Sequence, residues 1–204
     1  MRTNMPVTNV EYQLKPGESI VSKTDSKGLI TYINEDFVRI SGFTPKELLG
    51  QPHNIVRHPD MPEEAFADLW NSLRAGRPWT GYVKNRCKNG DYYWVLANAT
   101  PIRENGQVTG YMSVRSAPAR STVAEVERIY RLFKEGKAGN LRIQDGGVVK
   151  ASHLDKFNLF KKMNIKGRLT FIMGLLSALL LLVGGLGLFG MSATNEGLRT
   201  VYED

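Results

Sequence analysis

Between Leu169 and Asn195 the chain carries no charged residue, and Leu169 to Met191 is built almost wholly of Leu, Ile, Val, Phe, Met, Gly and Ala. A bilayer core takes about 20 such residues as a helix. The alternative, a helix buried in a soluble core, seldom stays apolar on every side for so long. The pattern therefore predicts one transmembrane helix over residues 169–191. Lys161, Lys162, Lys166 and Arg168 precede the run, and Glu196, Arg199, Glu203 and Asp204 follow it. Positive flanks stay in the cytoplasm, so the N-terminal part is expected to be cytoplasmic and the C-terminal end to lie across the membrane. The net charge of +7 over 204 residues owes much to this basic cluster. It points to anionic lipid headgroups rather than to nucleic acid. A run that begins at position 169, behind a polar N-terminus, does not read as a signal peptide. The lone cysteine, Cys87, can form no disulfide within the chain, which fits a reducing cytoplasm. Although Arg86 and Lys88 flank it, it reads as a structural or surface thiol rather than a nucleophile.

From Ile20 to Arg115 strands, short helices and tight turns alternate. Ile20–Thr24 and Leu29–Ile33 read as a hairpin closed by Asp25-Ser26-Lys27-Gly28. Phe37, Val38 and Ile40 make a short helical turn ended by Gly42. Thr44-Pro45-Lys46-Glu47 combines a cap, a first-position proline and a capping-box glutamate, and Gly50 ends that helix. Residues 53–62 read as a loop. Ala65, Phe66, Leu69, Trp70 and Leu73 then recur at helical spacing up to Gly76. Three strands follow, Trp79–Cys87, Tyr92–Ile102 and Val108–Arg115, joined by turns holding Asn89-Gly90 and Asn105-Gly106. The expected fold class is α+β: a five-stranded antiparallel sheet with short helices on one face. Beyond Pro118, Val123, Val126, Ile129, Tyr130 and Phe133 form one stripe of an amphipathic helix that needs a partner surface, with Thr122 and Glu125 as its capping box. Residues 136–147 are Gly-rich and read as a connector. Phe157, Leu159, Phe160 and Met163, interleaved with lysines, read as a membrane-surface approach. The expected domains are an N-terminal cap segment (1–17), a sensor domain (18–118), a linker helix with basic juxtamembrane segment (119–168), the span (169–191) and the start of a further helical region (192–204).

Three motifs dissolve on inspection. Gly185, Gly187 and Gly190 match a dinucleotide fingerprint, but they lie inside the apolar run with no strand before them. They suit close helix contact in a membrane better. His53 and His58 are five apart, which places them on no common helical face for a metal. His58-Pro59-Asp60 matches the J-domain tripeptide, which belongs between helices rather than among strands. What remains is a polar cluster, Asn34, His53, Asn54, Arg57, His58, Asp60 and Asn85, in an apolar neighbourhood containing Trp70, Trp79 and Trp94. A planar, polar-edged ligand between aromatic walls would satisfy it. Bonds to loop backbone and helix caps would do so equally well.

The run Gln51 to Pro62 (QPHNIVRHPDMP) resembles the PAS domain of bacterial aerotaxis receptors, in the methyl-accepting chemotaxis transducer family. So do Trp79–Gly81, Val83–Arg86, Lys88–Asp91 and Tyr93–Val95, within a similarity covering roughly residues 7–115. The resemblance implies non-covalent FAD binding and a flavin whose redox state reports on respiratory electron flow and oxygen. It implies a bacterial inner-membrane location with a periplasmic C-terminal end, and a homodimer. It also implies output to the chemotaxis kinase and adaptor through a C-terminal domain beyond residue 204. Carried over residue by residue, it places flavin binding on Arg57, His58 and Asp60, with Trp79 as a pocket wall. Asn34, Asn85 and His53 lie close to the flavin or its signal path. Residues 190–204 depart from the family's membrane hairpin and resemble instead the start of an ordinary chemoreceptor's periplasmic bundle. The alternatives are a haem sensor ligated by His58 or His53 and a cofactor-free dimerisation module. Cys87, at a strand end, is misplaced for a light-driven cysteine adduct. No nucleophile–base pair or metal-ligand set marks an enzyme.

Overall fold

The computed structural model describes residues 4–151 and 165–202. The chain divides into two units, Met1–Ala151 and Ser152–Asp204, and each is described by itself.

The first unit opens with the hairpin of β1 (Ile20–Asp25) and β2 (Ile30–Ile33), followed by α1 (Glu35–Ser41), α2 (Pro45–Leu48), a 3-10 turn (His53–Val56) and α3 (Glu63–Arg74). Strands β3 (Trp79–Arg86), β4 (Tyr92–Glu104) and β5 (Gln107–Ser116) then form a meander. All pairings are antiparallel, and the spatial order is β2-β1-β5-β4-β3. The first and last strands of the domain thus meet at the centre. The β4–β5 turn is two residues long and both have positive φ, Asn105 at 51° and Gly106 at 80°. That geometry matches the twist of paired strands and explains the Asn-Gly choice.

Side-chain alternation sorts the sheet into two faces. Val83, Asn85, Ala97 and Ala99 turn toward α3 and a cavity beneath it. On the opposite face α4 (Arg120–Lys134) buries Val123 and Tyr130. Tyr130 donates its hydroxyl to the Tyr82 carbonyl at 3.0 Å, and its ring lies 6.3 Å from that of Trp94. The back of the sheet is therefore the partner surface that the apolar stripe of α4 requires. The helix starts at Arg120 rather than at a Thr122 cap. The chain stays extended through Ala119, which takes the N-cap position, and Thr122 falls inside the first turn.

Residues 136–147, expected as a connector, instead contain most of a small hairpin of β6 (Leu141–Gln144) and β7 (Gly147–Lys150). Asp145-Gly146 forms its turn, and Ile143 is buried in the main core.

In the second unit α5 (Ile165–Tyr202) is one continuous helix. Gly167–Gly185 is long and apolar enough to cross a membrane by length and composition, and Leu169, Leu180 and Leu182 are exposed. The three glycines of the rejected fingerprint lie within this helix. Phe157, Leu159, Phe160 and Met163 lie outside the described residues.

Candidate ligand cavity

A cavity of about 370 Å³ lies between the inner sheet face, the 3-10 turn and α3. That volume falls in the ~300–1,000 Å³ range of small-molecule sites. Phe66, Leu69, Trp70 and Leu73, one helical stripe of α3, make an apolar wall with Val83, Ala97 and Ala99. The polar wall comes from Ser22, His53, Asn54, Arg57, Asn85 and Arg115. Exposed Ser26, Lys27 and Arg74 border the mouth.

The polar wall is held from several directions. The Asn4 amide donates to the carbonyls of Asn54 (2.8 Å) and Arg57 (3.0 Å) and so pins that segment. Arg57 pairs with Asn85 through a backbone bridge along the edge of β3. Its guanidinium stacks 3.4 Å from the Phe66 ring centroid, and burial pushes it down to about 10. Arg115, on β5, is 5% exposed. It donates to His53 Nε2 at 2.6 Å and to the Ser22 hydroxyl at 3.0 Å, and burial pushes it too down to about 10. An arginine can only donate, so His53 accepts at Nε2 and carries its proton on Nδ1. Burial and the adjacent Arg115 hold His53 well below the usual histidine range, and it is neutral.

Three of the seven residues expected at the site, His53, Arg57 and Asn85, line this cavity; the other four do not. Arg57 is extended (φ −69°, ψ 129°), so its successor turns to the opposite side. His58 accordingly lies edge-on to Tyr92 on the back face, with ring centroids 5.8 Å apart. It accepts the Asp60 N–H at Nδ1 (3.2 Å), and burial with nearby Lys84 pushes it down to about 4. Asp60 binds Lys84 Nζ at 2.8 Å, and the same ammonium reaches Glu127 of α4 at 3.2 Å. Trp79 lies over Gly81 and donates to Asp68 at 2.7 Å. Asn34 is the N-cap of α1: its oxygen accepts from Phe37 (3.2 Å) and Val21 (2.9 Å), and its amide donates to the Ser19 carbonyl (2.7 Å).

Arg115 and Trp70 complete the site from outside the expected set. Arg115 shares strand parity with Tyr111 and Ser113, both of which also line the cavity, and that parity was its one signal.

Among the cavity residues Thr24 Oγ1, Asn54 Oδ1, Arg57 Nε and Arg115 Nη1 are buried without a hydrogen-bond partner, as are His58 Nε2 and the Tyr93 hydroxyl away from its lining. Unmade bonds of this kind cost about 1–3 kcal/mol each. Among the described residues no carboxylate lines the cavity, whereas four cations do. The arrangement fits a flat ligand with an apolar edge and an edge rich in acceptors and negative charge. An isoalloxazine ring has that form.

Residues 30–115 match the family of PAS folds. The chain carries a PAS domain. Residues 159–204 match the Tar ligand-binding-domain homologues. The chain is also similar to the aerotaxis receptor of Escherichia coli (strain K12), with 44% identity over 88% of this chain and 36% of the receptor. Similarity to the nitrogen fixation regulatory protein of Klebsiella pneumoniae is lower, 29% over 47% of this chain and 19% of that protein. The chain thus spans about a third or less of these relatives. Among solved structures, the dark state of the blue-light photoreceptor Aureochrome1 LOV overlaps it at a TM-score of 0.49 with 18% identity, covering 53% of this chain and 82% of that one. Both the PAS match and the similarity to an aerotaxis receptor point to sensing rather than catalysis.

Proposed function

We propose that the PAS domain binds FAD non-covalently and acts as the redox or oxygen sensor of a membrane-anchored aerotaxis transducer. The observation that carries this reading is the acid-free cavity wall, where Arg57 Nε and Arg115 Nη1 are each left without a hydrogen bond opposite an apolar face. Bound there, the flavin would supply reversible electron-transfer chemistry. His53, Arg57, Asn85 and Arg115 would hold its polar edge, and Trp70 and Leu69 its apolar edge. Arg57 and Arg115 would favour a ring carrying extra negative charge. His58, Asp60, Trp79 and Asn34 would act at one remove, by fixing the segments that carry the contacts. Asn85 adjoins Lys84, whose ammonium joins Asp60 to Glu127 of α4. A changed bond at Asn85 or Arg57 would therefore be felt on the linker helix, which is how a local switch gains a distant readout.

In this reading residues 18–118 sense, 119–168 link and 169–191 anchor the chain in a bacterial inner membrane. Residues 192–204 begin a periplasmic region. Similarity to an aerotaxis receptor supports a homodimer and output to the chemotaxis kinase and adaptor through sequence outside these 204 residues. A haem reading is weaker, because His53 already accepts from Arg115 at Nε2 and His58 turns away from the cavity.

The test is the visible absorption spectrum of the purified full chain and of Arg57→Ala. Flavin bands in the former, lost in the latter, are expected. A Soret band, or a colourless folded protein that takes up no FAD, would overturn the reading.

A further inference from the structure

α3 is shared between two neighbours. One stripe of the helix lines the cavity. Another carries Asp68, whose carboxylate accepts three N–H groups: Trp79 Nε1 at 2.7 Å, Asp145 at 2.9 Å and Gly146 at 2.7 Å. The last two form the tip of the β6–β7 hairpin. Asp145 in turn accepts from the Ser72 hydroxyl (3.3 Å) and Arg77 (3.1 Å). Gly146 has a φ of +80°, and a Cβ there would lie 1.7 Å from the Thr80 carbonyl oxygen. The tip therefore has a fitted seat on α3 and β3, one that admits only glycine.

The hairpin is held by that seat and by Ile143, which is buried in the main core. Each of its strands has four residues, and they pair only with each other. An isolated two-stranded ribbon is marginal in water. Gly136 and Gly139, both with positive φ, separate it from α4. Because a close-packed interior transmits strain, a displacement of α3 on its cavity side also reaches Asp68.

We propose that the Asp145-Gly146 tip is a latch on Asp68 through which α3 reports the state of the cavity to the segment leading to the membrane helix. Asp68 is a positioning residue in this scheme and touches no ligand. The proposal rests on the flavin reading for the identity of the ligand.

Amide hydrogen exchange of the full chain with FAD, oxidised and after dithionite reduction, tests it. Exchange at Asp145, Gly146 and the Ile143–Val148 ladder is expected to differ at least tenfold between the two states. In Asp68→Asn and Gly146→Ala exchange is expected to be fast in both states while FAD is still retained. Arg77→Ala, which trims one exposed contact, is expected to give an intermediate rate and guards against a variant that fails to fold. If the flavin bleaches and the hairpin exchanges identically in both states, or if the variants keep wild-type protection, the latch is wrong and the flavin site stands. If the wild-type chain takes up no FAD, both readings fall.

Discussion

Replacing Arg115 by Met should stabilise the domain when no ligand is bound. Burial moves this guanidinium from its ordinary 12.5 to about 10. At 1.36 kcal/mol per unit of pKa, that is a cost to the folded state on the order of 3 kcal/mol. The sign follows from linkage. A base whose folded pKa is depressed carries its full penalty below the folded value and is relieved only as pH rises from about 10 toward 12.5, so at neutral pH the whole cost is present. Against it stand two hydrogen bonds, to Ser22 and His53. These two are 3.3 Å apart and keep each other as partners, so the variant loses about 1–2 kcal/mol of bonding rather than orphaning both groups. Met fills similar volume. The net expectation is a gain of about 1–2 kcal/mol in the ligand-free protein, with a Tm rise of roughly 2–4 °C per kcal/mol, together with weaker retention of FAD. Urea unfolding of the flavin-free chain, followed by tryptophan fluorescence, reads this directly, because Trp70, Trp79 and Trp94 all lie in the PAS domain. A variant less stable than wild type by more than about 1 kcal/mol would show that Arg115 is already satisfied, and would remove the reason to infer a charged ligand edge.

Acid should weaken the fold in a particular window. His58 is held at about 4 against an ordinary 6.5, so below pH 6.5 the unfolded chain takes up a proton that the buried ring refuses, and stability falls as pH drops toward 4. Urea midpoints of wild type and His58→Gln should converge there, and parallel curves would refute the assignment. Gly110→Ala should cost about 1–3 kcal/mol by overpacking, since its Cβ would sit 2.2 Å from the Thr24 carbonyl oxygen at the β1–β5 pairing, and thermal melts would detect this. Cys87 is buried, donates to the Ile40 carbonyl at 3.2 Å and is pushed up to about 12. Iodoacetamide at pH 8 should leave it unlabelled until urea is added, and rapid labelling of the native chain would contradict its burial.

Much of the fold was legible because its turns are chemically explicit. Asn105-Gly106, Asp25–Gly28 and the Thr44–Glu47 capping box each announce one local geometry. The β6–β7 hairpin carried an equally good signal in Asp145-Gly146, masked by the surrounding glycines, and its strands are too short to show alternation. The site was harder to read. Asn34 stands immediately before Glu35 and Asp36, the ordinary setting of a helix cap, and the structure uses it as one. His58 and Asp60 are polar and sit next to Arg57 in sequence, yet which side each faces depends on the edge strand they run along, and composition does not encode that. Arg115 carries little signal in the sequence, because a charge near the end of a strand usually reaches solvent.

The alternation of Arg57 and His58 across the edge of β3 makes this stretch intolerant of length change, although it has no regular secondary structure. Surface loops ordinarily accept insertions. Here, adding one residue between Val56 and Arg57 would exchange the two faces, turning the guanidinium toward the seat beside Lys84 and the imidazole toward the cavity side. The spacing from Pro52 to Pro62 is therefore set by parity, and one added residue should do more harm here than most substitutions.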